Sequence, residues 1–502
     1  MKAAQYLADV ARVRPEHEAV VCGTRRRTYR ELARRAEHVC TYLRSRGCGV
    51  GDRVALVVEN SVEWVELFFG ILGCGAVAVP INLRLTGAEV AAILADAQPQ
   101  LVVCDERHTG LVDAAAGGAV LLLADLERAL DAVESAAFPA LPSMPDDCLI
   151  LYTSGTSGAP KGAVITHANV IFIAFQHALE WSLREDERIL VTTAFAHRVA
   201  IARLFNAVTL GATAVILAHF DVDTALAAFE DERITVAGIV PTIARLLLTR
   251  IVPNDPRCAS LRTIAATGEA FPVALKRSLL ETLPHVRLFS FLAMTEAAGM
   301  GTLRPEHQFS HPGSVGRPTL GVEVCLLAPN GSVVPTGEVG EIAVRCGEPG
   351  RMAVMRGYFN RPDETAAAFR GDWFLTGDLG RQDEEGFLYV VDRAKDMIVT
   401  GGYNVYSREV EDALQLHPAV SDVAVVGVPD DIFGEAVAAF VVLAPSAVVD
   451  ADVLIAHARE RIASYKKPKH VYFVPTLPRN QQGKVLKRVL REQASAVRDP
   501  PH

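Results

Sequence analysis

The run Leu151-Tyr-Thr-Ser-Gly-Thr-Ser-Gly-Ala-Pro-Lys-Gly162 sets four small hydroxyl residues and two glycines ahead of a single lysine. It follows "CLILY" (Cys148 to Tyr152), an apolar run that reads as a buried strand, and before that the proline-rich connection "FPALPSMPDD". A glycine-rich turn at the end of a buried strand lies where open α/β sheets bind ligands. Consecutive backbone N–H groups in such a turn form an anion-binding concavity, to which the hydroxyls of Thr153, Ser154, Thr156 and Ser157 add donors and Lys161 adds a mobile positive charge. Polyphosphate is the guest this chemistry suits. The spacing is not that of a Walker loop, because Gly155 and Gly158 precede Ala159, Pro160 and Lys161 where a Gly-Lys-Ser/Thr ending is required. A flexible Ser/Gly linker does not usually follow a buried strand and close on Pro-Lys-Gly.

Working outward, "DRVALVVEN" (Asp52 to Asn60) and "LVVCD" (Leu101 to Asp105) predict further strands. The apolar run Leu67 to Ile81, broken by Gly70, Gly73, Gly75 and Pro80, is too short to span a membrane and predicts a buried helix turning into a strand. Thr86-Gly-Ala-Glu89 is a capping-box pattern opening an amphipathic helix through Val90, Ile93 and Leu94. This rhythm predicts an α/β fold of helix-covered mixed and parallel sheets. From about 320 to 392 the texture changes to short β-prone runs ("VEVCLLAPNGSVVP", "GEIAVRC", "WFLTGDLG", "GFLYVVD"), which predict a β-rich lobe. Helix–strand alternation resumes past Arg393 with a Lys-rich end. The expected division is therefore a large N-terminal domain, 1–392, and a small α+β C-terminal domain, 393–502.

The 502 residues are too many for one compact core, and half are hydrophobic with no low-complexity tract. A net charge of -9 disfavours nucleic acid as a partner. The nine cysteines, from Cys22 to Cys346, contain no C-x-x-C pair and no matching His cluster, so neither a zinc site nor a disulfide framework is indicated. They read as reduced, mostly buried residues. With no signal peptide and no membrane span, a cytoplasmic protein is expected.

The opening loop, with "THAN" (Thr166 to Asn169) after it, resembles the phosphate loop of the adenylate-forming superfamily, which includes acyl-CoA and aryl-CoA synthetases, amino-acid adenylation domains and luciferases. "FFGILGCGAVAVPIN", "FAHRVAIARL" (Phe195 to Leu204), "ATGEAFP" (Ala266 to Pro272), "MTE" (Met294 to Glu296), "TGDLG" (Thr376 to Gly380), "DRAKDMIVTGGYNVYSREVE" (Asp392 to Glu411) and "PRNQQGKVLKR" (Pro478 to Arg488) follow in the family's order. The set in order is specific where any one motif is not.

The resemblance implies an acyl-CoA synthetase that joins a carboxylic acid to ATP as an acyl-adenylate and then passes the acyl group to coenzyme A. The loop Thr153, Ser154, Gly155, Thr156, Ser157, Gly158 and Lys161 is implied to hold the β- and γ-phosphates. Thr295 is implied to meet the α-phosphate and Glu296 to bind Mg²⁺, a hard cation suited to a carboxylate and phosphate oxygens. Asp378, helped by Arg393, is implied at the ribose; Leu292 and Gly268, Glu269 and Ala270 at the nucleotide. Lys484 is implied to stabilise charge during adenylation. Rotation about Lys395 is implied to exchange it for a pantetheine tunnel lined by Gly401 and Gly402. The acyl pocket is implied at His197, Val236, Gly238, Gly268, Phe291 and Ala293, its apolar lining suiting an aromatic, alicyclic or medium-sized aliphatic acid. Read without the family, His197 among apolar residues suits a packed histidine. Arg198 suits either a second acidic group of the substrate or a surface ion pair. Ser407, ahead of Glu409 and Glu411, is expected to cap the next helix.

Two departures stand out. The family writes Tyr-Gly before Met-Thr-Glu, whereas this chain has Leu292 and Ala293, and Ala194 replaces a proline before the Phe-x-His segment. Losing an aromatic face over adenine forfeits about 0.5–1.5 kcal/mol. Three alternatives therefore stay open: a CoA ligase that only thioesterifies a preformed acyl-adenylate, a loader of protein-borne phosphopantetheine, and a noncatalytic nucleotide- or acyl-binding protein. The oligomeric state is open, a homodimer included.

Overall fold

The computed structural model describes residues 2–112, 119–132, 136–139, 146–154, 160–268, 271–479 and 485–498. The chain forms two compact units. One comprises 1–324, 344–375 and 386–388; the other comprises 325–343, 376–385 and 389–502.

Two sheets organise the first unit. In the nine-stranded sheet, Arg287–Met294, Thr263–Ala266, Val236–Ile239, Arg188–Val191, Thr213–Ile216 and Glu18–Cys22 lie side by side and parallel. Antiparallel strands close both edges. The parallel members are short, apolar runs because both faces are covered. Ala237 and Ile239 look toward helices Val222–Asp231 and Pro241–Leu248 in one core cluster. Gly238, one residue out of phase, faces helix Arg198–Leu210. The chain runs from Arg188–Val191 to Thr213–Ile216 on one side and then to Val236–Ile239 on the other. That reversal is a topological switch point, and it opens a crevice at the strands' carboxyl ends.

The strands expected in Asp52–Asn60, at the end of Leu67–Ile81, in Leu101–Asp105 and in Cys148–Tyr152 form at Arg53–Val57, Val77–Pro80, Leu101–Cys104 and Asp147–Ser154 of the seven-stranded sheet. Helix Val62–Gly73 is buried along its whole length before Val77–Pro80 begins, as the apolar run with its glycines predicts. Thr86 caps helix Gly87–Ala97 in a reciprocal box with Glu89. Thr166 does the same for helix His167–Trp181 with Asn169. The predicted β-rich stretch supplies Glu323–Leu327, Gly340–Arg345, Trp373–Gln382 and Leu388–Arg393.

In the second unit, Gly434–Leu443 pairs antiparallel with Val420–Asp430 and parallel with His470–Phe473. Helices Ser407–Gln415 and Ala451–Arg459 cover one face through Val410, Leu414 and Leu454, and helix Lys487–Arg498 covers the other through Leu490 and Ala494. Ser407 does not cap its helix. It is the first helical residue, its side chain turned inward, and its N–H donates to the Asp392 carboxylate, which caps in its place. A carboxylate from a distant strand outcompetes the local hydroxyl because it carries full charge at the positive end of the helix.

None of the nine cysteines is in a disulfide, and seven are buried. No helix among the described residues is long and apolar enough to cross a membrane, and no described group of His, Cys, Asp and Glu is arranged to hold a metal ion on its own.

Candidate active site

Most of the predicted residues of the first unit gather at the carboxyl ends of the parallel strands; Val236 does not, being the first, fully buried residue of its strand. His197 ends the connection leaving Arg188–Val191 and is the N-cap residue of helix Arg198–Leu210. Gly268 follows Thr263–Ala266 with φ +96°, a backbone setting that favours glycine, and is exposed. Thr295 and Glu296 occupy the tight hairpin joining Arg287–Met294 to Ala298–Leu303, so the carboxyl edge of the sheet presents both. Leu292 and Ala293 lie half-buried just before it, at a register shift in the pairing.

The lysine of the opening loop belongs to this group. Asp147–Ser154 and Pro160–Thr166 form an antiparallel hairpin in which Thr153 pairs with Lys161 and Ser154 with Pro160. Gly155, Thr156, Ser157 and Gly158 lie outside the described residues, as do Glu269, Ala270 and Lys484. Gly162 is required by packing, since a Cβ there would stand 2.6 Å from Ile150. Lys161 is mostly buried, ion-paired with Glu364, and its Nζ lies 5.3 Å from the centre of the Tyr358 ring. The Tyr358 hydroxyl donates to Glu296 Oε1 at 3.1 Å. A cation, an aromatic ring and a buried carboxylate thus follow one another. Burial, then the charge of Glu296 and the hydrogen bond to it, hold the Tyr358 hydroxyl well above its ordinary value, so it stays a donor.

Arg198 is buried and clamps the backbone on which the hairpin hangs. Its Nη1 donates to the Thr295 carbonyl and its Nη2 to the Ala353 carbonyl at 3.1 Å. Burial lowers its pKa to about 9, the charge of Glu296 opposing that shift. It forms neither a surface ion pair nor, among the described residues, an ion pair with any carboxylate. His197 is half-buried; burial first and Arg84 second push its imidazole below the ordinary value, so it is neutral at pH 7. Phe195 turns into the core, its ring 4.2 Å from that of Trp64. Val236 and Gly238 lie within the sheet, Gly238 directly under the stem of Arg203. Phe291 is nearly buried, its carbonyl accepting from Thr267 at 2.9 Å.

In the second unit, Arg393 Nε meets Asp378 Oδ1 at 2.5 Å, with Asp378 almost fully buried. Thr376 shapes that turn by donating to the Ile342 carbonyl at 2.7 Å and accepting from the Asp378 N–H at 3.1 Å. Lys395 is exposed on a single helical turn; its carbonyl accepts from Arg491, which also pairs with Asp396 at 2.8 Å. Gly401 and Gly402, both with positive φ, form the two-residue turn of a hairpin, which gives the diglycine a backbone reason of its own.

Tyr358, Glu364 and Arg203 were not singled out from sequence. Their signal is weak: Tyr358 follows a glycine in a polar stretch, and Arg203 is one of two arginines on a mostly apolar helix, where an arginine reads as an edge residue.

A family model described as AMP-binding enzyme matches residues 7–359, and one described as AMP-binding enzyme C-terminal domain matches 409–484. A feruloyl-CoA synthase of an Amycolatopsis species is 38% identical over 487 residues, covering 96% of this chain and 97% of that one. ATP-bound MatB from Rhodopseudomonas palustris superposes with a TM-score of 0.90 at 31% identity, covering 99% of this chain and 100% of that one. The Bacillus subtilis o-succinylbenzoate CoA synthetase, in complex with its acyl-adenylate intermediate, gives 0.88 at 30% identity, with 98% of each chain covered. The phosphate-suited loop, the hairpin carboxylate and the sequence order of the motifs agree with these matches along nearly the full length, and the chain belongs to the adenylate-forming superfamily of AMP-binding enzymes, as an acyl-CoA synthetase.

Proposed function

We propose that Lys161, Tyr358 and Glu296 form the phosphate and metal end of the adenylation site. The observation that carries this reading is their convergence beside Thr295 at the carboxyl edge of the sheet. Glu296 offers a carboxylate oriented by the Tyr358 phenol, and with phosphate oxygens it would hold a Mg²⁺ that would supply charge neutralisation. Lys161 exchanges its Glu364 partner for the β- and γ-phosphates, joined by Thr153, Ser154 and the 155–158 backbone. Thr295 meets the α-phosphate, while Leu292, Gly268, Glu269 and Ala270 border the nucleotide. Asp378 accepts from the ribose hydroxyls, with Arg393 fixing the carboxylate.

Attack of the substrate carboxylate on the α-phosphorus releases pyrophosphate and leaves a mixed anhydride, whose AMP is a good leaving group for the thiol of CoA. Lys484 stabilises charge in the first step. A small C-terminal domain, 393–502, turns about Lys395 to bring Gly401 and Gly402 to the pantetheine arm in the second. His197, Val236, Gly238, Phe291 and Ala293 border an acid of aromatic or medium aliphatic size, and the enzyme works in the cytoplasm.

Pyrophosphate release across a carboxylic-acid panel, beside CoA transfer from synthetic acyl-adenylates, tests the scheme. Both activities are expected, with pyrophosphate release dependent on Mg²⁺. Transfer without pyrophosphate release assigns the Leu292/Ala293 departure to a lost first step. Ligand-dependent stabilisation with neither activity overturns the catalytic reading.

A further inference from the structure

Arg203 is an anomaly in the first unit. It projects from helix Arg198–Leu210 into the space between that helix and the sheet and is 2% exposed. Its guanidinium lies 4.3 Å from the Trp181 ring centre and 5.9 Å from that of Phe291. Its stem lies against Gly238, where a Cβ would come within 3.0 Å of Cδ and 3.1 Å of Nε. Among the described residues one hydrogen bond holds it, from Nη1 to Asn206 Oδ1 at 2.9 Å. Among the described residues no carboxylate pairs with it.

The surroundings repeat the imbalance. Arg203 Nε and Trp181 Nε1 are buried donors with no acceptor among the described residues. His177, stacked 4.2 Å from Trp181 and held neutral by burial and by Arg203, shares Asn206 Oδ1 at 3.3 Å. It adds no countercharge. A buried cation without an anion is costly to the fold and is usually retained where something supplies the missing charge. Burial lowers the Arg203 pKa to about 9, which still leaves it charged at neutral pH.

Resting on the acyl-pocket assignment above, which already places Gly238 and Phe291 at the substrate, we propose that Arg203 is a specificity residue for an acid bearing a second carboxylate at its far end. Arg203 lies six positions beyond His197, the N-cap residue of its helix, a rise of about 9 Å along the helix axis. A dicarboxylic acid whose carboxyls are divided by a ring plus a short chain, or by a six-carbon chain, has that order of length. The reacting carboxylate lies toward His197 and the switch-point edge; the distal one meets the guanidinium, with the Trp181 N–H a second donor.

Octanedioate against octanoate, and 4-carboxycinnamate against cinnamate, test the proposal in thioester formation by the full-length enzyme. Each diacid is expected to exceed its monoacid at least tenfold in kcat/KM. R203M is expected to reverse that order mainly through KM, and R203K to restore part of it. Equal use of both acids by the unsubstituted enzyme, a preference for the monoacids, or an equal loss on both in R203M overturns the proposal. Should R203M fail to fold, the comparison in the unsubstituted enzyme decides. If no acid of either kind is turned over, the ligase scheme falls, and thermal shift decides the pocket. Stabilisation by the diacids alone then supports a distal carboxylate site, and equal shifts overturn it.

Discussion

At single residues, the site works by holding charge in unusual places. Tyr358 spends its hydroxyl on Glu296, so Y358F leaves a buried carboxylate short of a donor. That change should cost about 1–2 kcal/mol in urea denaturation. It should slow pyrophosphate release about tenfold while sparing CoA transfer from a preformed acyl-adenylate. His167 offers a cleaner titration: its Nδ1 accepts from the Ala3 N–H at 3.3 Å, and burial pushes its pKa down to about 3. Between the ordinary histidine value and about pH 3, the unfolded chain takes up a proton that the folded chain refuses. Stability therefore falls as pH drops through that window, by about 1.4 kcal/mol per pH unit for this residue. H167N keeps an acceptor but no titrating group, and should flatten denaturation midpoints between pH 6 and 4. Lys161, Glu296, Asp378 and Arg393 stand out in the sequence because a charged residue among glycine or apolar neighbours leaves a local trace. Sequence hid Tyr358 and Arg203, whose significance comes from partners that are remote along the chain, at Glu296 and at Gly238.

Among the elements, the strands and capping boxes were readable for a related reason. A Thr-x-x-Glu box is satisfied within four residues, so nothing distant can overrule it, and T86A should cost about 1 kcal/mol. Ser407 shows the opposite. Its sequence signal was sound, yet Asp392 reaches it from another strand while Lys487 donates to its hydroxyl at 2.6 Å. Gly316 carries the strictest demand in the first unit. At φ +92° a Cβ would stand 1.9 Å from the Thr302 carbonyl carbon, and neither backbone can yield. G316A should destabilise by about 3 kcal/mol or more, read as a lowered denaturation midpoint with an unchanged slope.

For the whole molecule, each unit owns a hydrophobic core. Calorimetry should resolve two transitions rather than one, with ATP raising the first unit's melting temperature; a single transition obeying two-state criteria would contradict this. The β-rich texture between 320 and 392 was legible, but not its division, because periodicity reports which face of a strand is apolar and not which neighbour covers it. That division has a practical meaning. Residues 325–343 and 376–385 belong to the second unit although 344–375 lie in the first, so the polypeptide passes back and forth before its tail begins. A graft that exchanges everything after Asp392 with a cousin's tail would strand two native segments against a foreign neighbour. Recombination of substrate choice within this lineage should therefore trade pieces of the first 320 residues and leave the interlaced remainder intact.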